Sequence, residues 1–204
     1  MTPVDDPVAA AAAATAWPEL AASVRTCVAC PELVAGRTQV VPGLAPTGAD
    51  LLLVGEAPGA QEDAVGVPFV GRAGQLLDGL LAEVGLARDR VAVANVLKCR
   101  PPANRKPRRA EVARCRPWLE RQIGLLDPAL LVALGGTAAE WFVGPSARIA
   151  SLRGQSLSYD GRPLLVTYHP SAAIRFGPAG APLAALREDL AEVARVLAQQ
   201  RTGA

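Results

Sequence analysis

A chain of 204 residues with a net charge of +2 has the size of one domain, and half of its residues are apolar, enough for a substantial core. Its 19 Gly and 18 Pro are scattered rather than clustered, which argues against wholesale disorder, and no apolar run is long enough to predict a transmembrane helix. The Ala9 to Ala14 run follows Asp5 and Asp6 with no Lys or Arg ahead of it, the wrong charge for a secretory leader, so residues 1–16 are expected to form a disordered or frayed tail and the protein to be cytoplasmic, with no membrane partner.

Residues 18–26 read as a short helix leading into Cys27-Val28-Ala29-Cys30, and 31–49 as loop. Leu51–Gly55 is a buried strand that runs into Glu56-Ala57-Pro58-Gly59-Ala60-Gln61-Glu62-Asp63, a tight turn carrying one carboxylate and then two more. Residues 60–71 read as an irregular loop holding Gly66, Pro68 and Phe69. Ala73–Val84 has Leu76, Leu77, Leu80, Leu81 and Val84 at helical spacing. Val91–Leu97 is the next strand, and Arg109–Leu126 a helix stopped by Asp127-Pro128. Ala129–Leu134 is a further buried strand, and Gly135-Gly136 opens the helix Thr137–Val143. Ser156–Tyr159 and Pro163–Tyr168 flank Asp160-Gly161, a hairpin signal, and Leu183–Leu197 is a closing amphipathic helix. Strands alternating with helices predict an α/β fold whose mostly parallel sheet is covered on both faces.

Chemistry gathers at the ends of these strands. Glu56 follows the first, Asn95 lies in the second, and His169, the one histidine of the chain, follows the last. Open α/β sheets build their sites at that carboxyl edge. Between Lys98 and Arg116 stand Lys98, Arg100, Arg105, Lys106, Arg108, Arg109, Arg114 and Arg116 against Glu111 alone, a basic stretch on a mildly acidic body, which predicts contact with a polyanion. The four cysteines, Cys27, Cys30, Cys99 and Cys115, form one C-x2-C pair and a second pair split by fifteen residues. Disulfides are disfavoured in a cytosolic chain. Zinc ribbons use two short knuckles, so the split pair tilts the reading towards a 4Fe–4S cluster, although spacing alone leaves zinc open. The cluster would tie the N-terminal helix to the basic stretch.

In order, the chain reads C-x2-C, GEAPGAQED, GVPFVGRAGQLLD, NVLKCRPPANR, Cys115 and YHPSAAIR. This set resembles the family 4 uracil-DNA glycosylases, the iron–sulfur branch of the uracil-DNA glycosylase superfamily, over residues 25–197. The resemblance implies a three-layer α/β/α fold around a four-stranded parallel sheet, formed by residues 17–204. It implies a 4Fe–4S cofactor on Cys27, Cys30, Cys99 and Cys115. The implied activity is monofunctional hydrolysis of the N-glycosidic bond of uracil, in single- and double-stranded DNA, by a monomer that leaves an abasic site.

Such an enzyme holds a flipped base in a pocket. The resemblance makes Phe69 the ring that stacks on uracil. It makes Asn95 the amide that pairs with O4 and N3–H, a pattern that cytosine reverses. His169 would donate to O2, where negative charge develops. Glu56 would hold the catalytic water or stabilise the sugar cation, with Glu62 the second candidate for the water. Ala57 occupies the position at which the best-known branch of the superfamily carries a water-activating aspartate. Arg72, Arg100, Asn104, Arg105 and Arg175 are expected on the DNA backbone, with the loop that starts at Ser171 entering the minor groove and Ile174 as the wedge that fills the gap left by the base. Ser171 departs from the alanine common in family 4. The segment Pro101–Pro107 contains no histidine, which excludes the covalent capture used by a neighbouring branch. The alternative reading is a non-catalytic module that binds uracil or damaged DNA, and a Mg²⁺-dependent phosphohydrolase built on Glu56, Glu62 and Asp63 is a weaker third.

Overall fold

The computed structural model describes residues 2–202; the first residue of the expected tail and the last two of the expected domain lie outside them. In chain order the helices are α1 (Pro7–Ala13), α2 (Trp17–Arg25), α3 (Pro31–Gly36), α4 (Ala60–Val65), α5 (Arg72–Glu83), α6 (Arg109–Leu126), α7 (Gly136–Val143), α8 (Ile149–Leu152), α9 (Pro170–Phe176) and α10 (Ala181–Thr202). The strands are β1 (Leu51–Gly55), β2 (Val91–Asn95), β3 (Leu130–Leu134), β4 (Leu157–Tyr159) and β5 (Arg162–Thr167).

The sheet has the order β2-β1-β3-β5-β4, parallel except for β4. The expected four parallel strands are present, and a fifth, antiparallel strand is added at the edge. That strand comes from the Asp160-Gly161 hairpin, where both turn residues have positive φ (49° and 77°), as a two-residue hairpin of this hand requires. At the other edge Leu44 forms an antiparallel bridge with Val93.

β1, β2 and β3 are buried on both faces, so their sequences are continuous apolar runs rather than alternating ones. Alternate residues still serve opposite layers. Leu51, Leu53, Val91, Val93, Leu130 and Val132 pack under α5, α9 and α10. Leu52, Val54, Ala92, Ala94, Leu131 and Ala133 pack under α6, α7 and α8. The result is the expected three-layer α/β/α arrangement.

The N-terminal segment departs from the expected frayed tail. Asp6 caps α1 by accepting from the N–H groups of Val8 and Ala9 (2.9 and 3.3 Å), and Pro7 takes the first helical position. Ala11 and Ala14 are buried in a third apolar cluster with Leu20, Val24, Leu33 and Trp118. Arg121 reaches across to donate to the Ala14 carbonyl (2.9 and 2.5 Å). Val4 pairs with Cys27, so this segment is anchored beside the cysteines.

Two stretches expected to lack helix contain short ones. α3 begins at Pro31, and α4 begins after Gly59, whose N–H is accepted by Glu62 three residues on (3.1 Å). Among the described residues no helix is long and apolar enough to cross a membrane.

Candidate active site

The sheet order reverses at β1, which sends the chain to β2 on one side and has β3 on the other; ligands of open α/β sheets bind at such a reversal, beyond the carboxyl ends. A pocket of about 370 Å³ opens there. Glu56 and Ala57 enter it from the end of β1, Asn95 from β2, Gly135 and Thr137 from β3, and His169 and Ser171 from β5, with Phe69 and Glu62 supplied by the 59–71 segment.

Three glycines make room for these side chains. A Cβ on Gly55 would lie 2.5 Å from Asn95 Oδ1 and 2.7 Å from Phe69 Cζ. One on Gly74 would lie 1.7 Å from the Phe69 carbonyl oxygen, so only glycine lets α5 run beneath that loop. Gly135, at φ +93°, is the third, against His169 Cβ. Phe69 itself has φ +56°, a conformation costly for a bulky residue that is held by its surroundings. Its ring faces His169, the two centroids being 5.8 Å apart with planes tilted by 31°.

His169 caps α9: its Nδ1 accepts from the Ser171 N–H (3.1 Å), and the Ser171 hydroxyl lies 2.8 Å from the same nitrogen. With Nδ1 accepting, the ring proton sits on Nε2. Desolvation lowers the His169 pKa to about 4 despite the opposing pull of Glu62, so the imidazole is neutral at pH 7.

The carboxylates divide their work. Glu62 accepts from the N–H groups of both Gly59 (3.1 Å) and Gly71 (2.8 Å), clasping the two ends of the loop that carries Phe69. Asp63 is buried and accepts from the N–H groups of Thr38 and Gln39. Glu56 has one oxygen bonded by the Thr137 hydroxyl. Thr137 escaped the sequence reading; its one signal was its place just after a Gly-Gly strand end.

The basic stretch is far less open than its composition implies. Arg105 lines the pocket, but its guanidinium grips Glu111 (2.5 and 2.9 Å) and reaches Glu32 (3.2 Å). Glu111 is 6% exposed, and this two-pronged bond holds its carboxyl below the usual range. Arg108 pairs with Glu32, Lys106 with Glu140 and Arg116 with Glu120. Lys98 is fully buried. Arg100 bonds Asn104 at the pocket rim (2.7 Å). Arg72, the first residue of α5, and Ser171 and Arg175 on α9 are exposed; Ile174 is half-buried, and the exposed apolar side chain of α9 is Phe176 (59%), with the Arg175 guanidinium 4.9 Å from its ring centre.

All four cysteines are unpaired and line a second cavity together with Arg37, Lys98 and Arg114. Arg37 donates to Cys99 Sγ (2.8 Å) and to the Cys27 carbonyl (2.7 Å). Burial pushes the Cys99 thiol up to about 11 and Cys115 to about 12, and raises Cys30 as well. Among the described residues no group of three or more His, Cys, Asp or Glu is arranged to hold a single metal ion.

The family model described as the uracil DNA glycosylase superfamily matches residues 42–191. The chain belongs to that superfamily. Several of its relatives are type-4 enzymes. A type-4 uracil-DNA glycosylase of Thermotoga maritima is 45% identical over 154 residues, 74% of this chain and 80% of the relative. That of Pyrobaculum aerophilum is 43% identical over 160 residues (74% and 81%), and that of Sulfurisphaera tokodaii 42% over 147 (68% and 67%). The resemblance to family 4 of the uracil-DNA glycosylases therefore holds, and the superfamily match spans every strand of the sheet and every pocket side chain described above.

Proposed function

We propose that this chain removes uracil from DNA, hydrolysing the N-glycosidic bond and leaving an abasic site as the first step of base excision repair. The observation that carries the mechanism is the meeting of Phe69, Asn95 and His169 in one pocket at the carboxyl edge of the sheet.

In this reading DNA delivers a flipped uracil between the Phe69 ring and the Asn95 amide. Asn95 Oδ1 accepts from N3–H and Nδ2 donates to O4; cytosine offers the reverse at both positions and is rejected. Neutral His169 donates Nε2–H to O2. As the C1′–N1 bond breaks, its electron pair passes to the base, and the negative charge spread over N1 and O2 meets this donor. Glu56 holds a water beneath C1′, its far oxygen fixed by Thr137, and its charge favours the sugar cation. The water oxygen bonds to C1′ and releases its proton towards Glu56. Glu62 acts through the backbone by keeping the Phe69 loop in place. Ala57 leaves the pocket floor apolar where another branch has its carboxylate.

Arg72, Arg100, Ser171 and Arg175 remain the proposed DNA contacts. Arg105 serves instead as a bracket for the rim, and Phe176 joins Ile174 as a wedge candidate because it is the more exposed. Since a single chain supplies the whole pocket, the reading needs only a monomer, acting on uracil in single- and double-stranded DNA.

The four cysteines fit a 4Fe–4S cluster. They are soft donors on one cavity, and three cations surround them to balance thiolate charge. Cys27, Cys30, Cys99 and Cys115 would hold the cluster, whose contribution is to tie α2, α3, the loop after β2 and α6 together.

The test is incubation with a uracil-containing oligonucleotide in EDTA, followed by alkali. A strand break that appears only after alkali is expected. An intact strand that the folded protein nevertheless binds would identify a non-catalytic reader instead.

A further inference from the structure

Lys98 has no part in the mechanism above, yet it is 1% exposed, and a buried ammonium is expensive unless its charge and its donors are all used. Its Nζ donates to the Asn95 carbonyl (2.7 Å) and to Gln122 Oε1 (2.5 Å). Gln122, also fully buried, passes the link on by donating to the Pro42 carbonyl (2.5 Å).

The reason for this arrangement lies in the sheet. β2 is an edge strand, and its outward-facing backbone groups recur every second residue. Val93 exchanges both of its bonds with Leu44 (2.8 Å each). The next outward carbonyl is that of Asn95, and no strand continues there to meet it. Lys98 takes the place of that missing neighbour. On its other side Lys98 lines the cysteine cavity together with Cys99 and Cys115.

We propose that Lys98 is a positioning residue for base recognition: from the wall of the cysteine cavity it clamps the Asn95 carbonyl and so fixes where the Asn95 amide meets the pyrimidine. This rests on Asn95 as the base reader. Lys98 is then the physical link between the cysteine cavity and the pocket, running through one side chain, one carbonyl and one amide.

The experiment compares the parent with Lys98→Met, Gln122→Leu and Asn95→Ala, each matched for bound iron and sulfide. Two quantities are read: inhibition by free uracil and affinity for abasic-site DNA. Lys98→Met is expected to weaken uracil inhibition about tenfold, the size of one lost charge-assisted hydrogen bond, while abasic-DNA affinity stays within about twofold. Gln122→Leu is expected to move the same quantity in the same direction by less, and it decides the matter if Lys98→Met does not fold. Parental uracil inhibition in the variants that fold, or parallel loss of uracil and abasic-DNA binding, would overturn the proposal, the second outcome marking Lys98 as a plain structural strut. If Asn95→Ala alone keeps parental uracil inhibition, the reading of Asn95 falls and this inference with it; if Asn95→Ala loses it and Lys98→Met does not, the inference fails by itself.

Discussion

The base pocket and the cysteine cavity are neighbours built by opposite means. The pocket is held by hydrogen-bonded strands: Gly55 lies in register with Asn95, and Gly135 N–H bonds the Thr167 carbonyl two residues before His169 (2.9 Å). Glu62 and His169 are anchored on backbone N–H groups and Glu56 on the Thr137 hydroxyl. The cysteine cavity has no ladder. It gathers the end of α2, the start of α3, the loop after β2 and the middle of α6, and it rings four thiols with three cations. A site made from sheet ends is rigid before anything binds. One made from loops and like-placed cations depends on the charge that it encloses.

Substitutions should therefore separate the two regions. His169→Ala is expected to lower the rate of uracil release by roughly 10²–10³, the cost of one donor to developing charge, with little change in melting temperature; rate and thermal melt together check it. Cys99→Ala should do the reverse: loss of bound iron and a fall in melting temperature of about 10 °C, from some 3 kcal/mol of lost anchoring, seen by iron assay and calorimetry. Thr137→Val removes the hydroxyl that holds Glu56 and is expected to cut kcat about tenfold with KM unchanged, which single-turnover kinetics would resolve. A smaller effect concerns pH. His169 has its pKa lowered to about 4 in the fold from an ordinary value of 6.5, so the unfolded chain binds its proton first as pH falls. The stability gained by keeping the imidazole neutral is complete above pH 6.5 and is lost between 6.5 and 4. Activity should accordingly show no limb near pH 6.5, and a pH–rate profile that bends there would contradict a neutral donor.

Local pattern carried much of this architecture into view. The Leu51–Gly55 run, the Leu76–Leu81 periodicity and Asp160-Gly161 each specify their own geometry, and the motifs that carry the family resemblance run through the pocket. What stayed hidden depends on distant pairing. Lys98 counts as one more surface cation until Gln122, 24 residues away, is seen to accept its hydrogen bond. Arg108 and Glu32 are separated by 76 residues, and Thr137 and Glu56 by 81. No window along the chain contains both partners. α1 is a different kind of miss: Asp6-Pro7 is a sound helix start, but the segment is weighed only as a leader and on its charge.

The two borders of the sheet have a consequence for pairing between copies of the chain. An exposed strand edge invites a second chain to add itself. Here β2 is shielded by the Leu44 bridge and by Lys98 on the next open carbonyl, while β4 is only three residues long and ends in a tight turn pinned by Arg162 to Asp160 and Asp127. The Lys98 contact thus also denies a template for intermolecular pairing, and the same substitution that blurs base reading should make the chain more prone to aggregate on refolding.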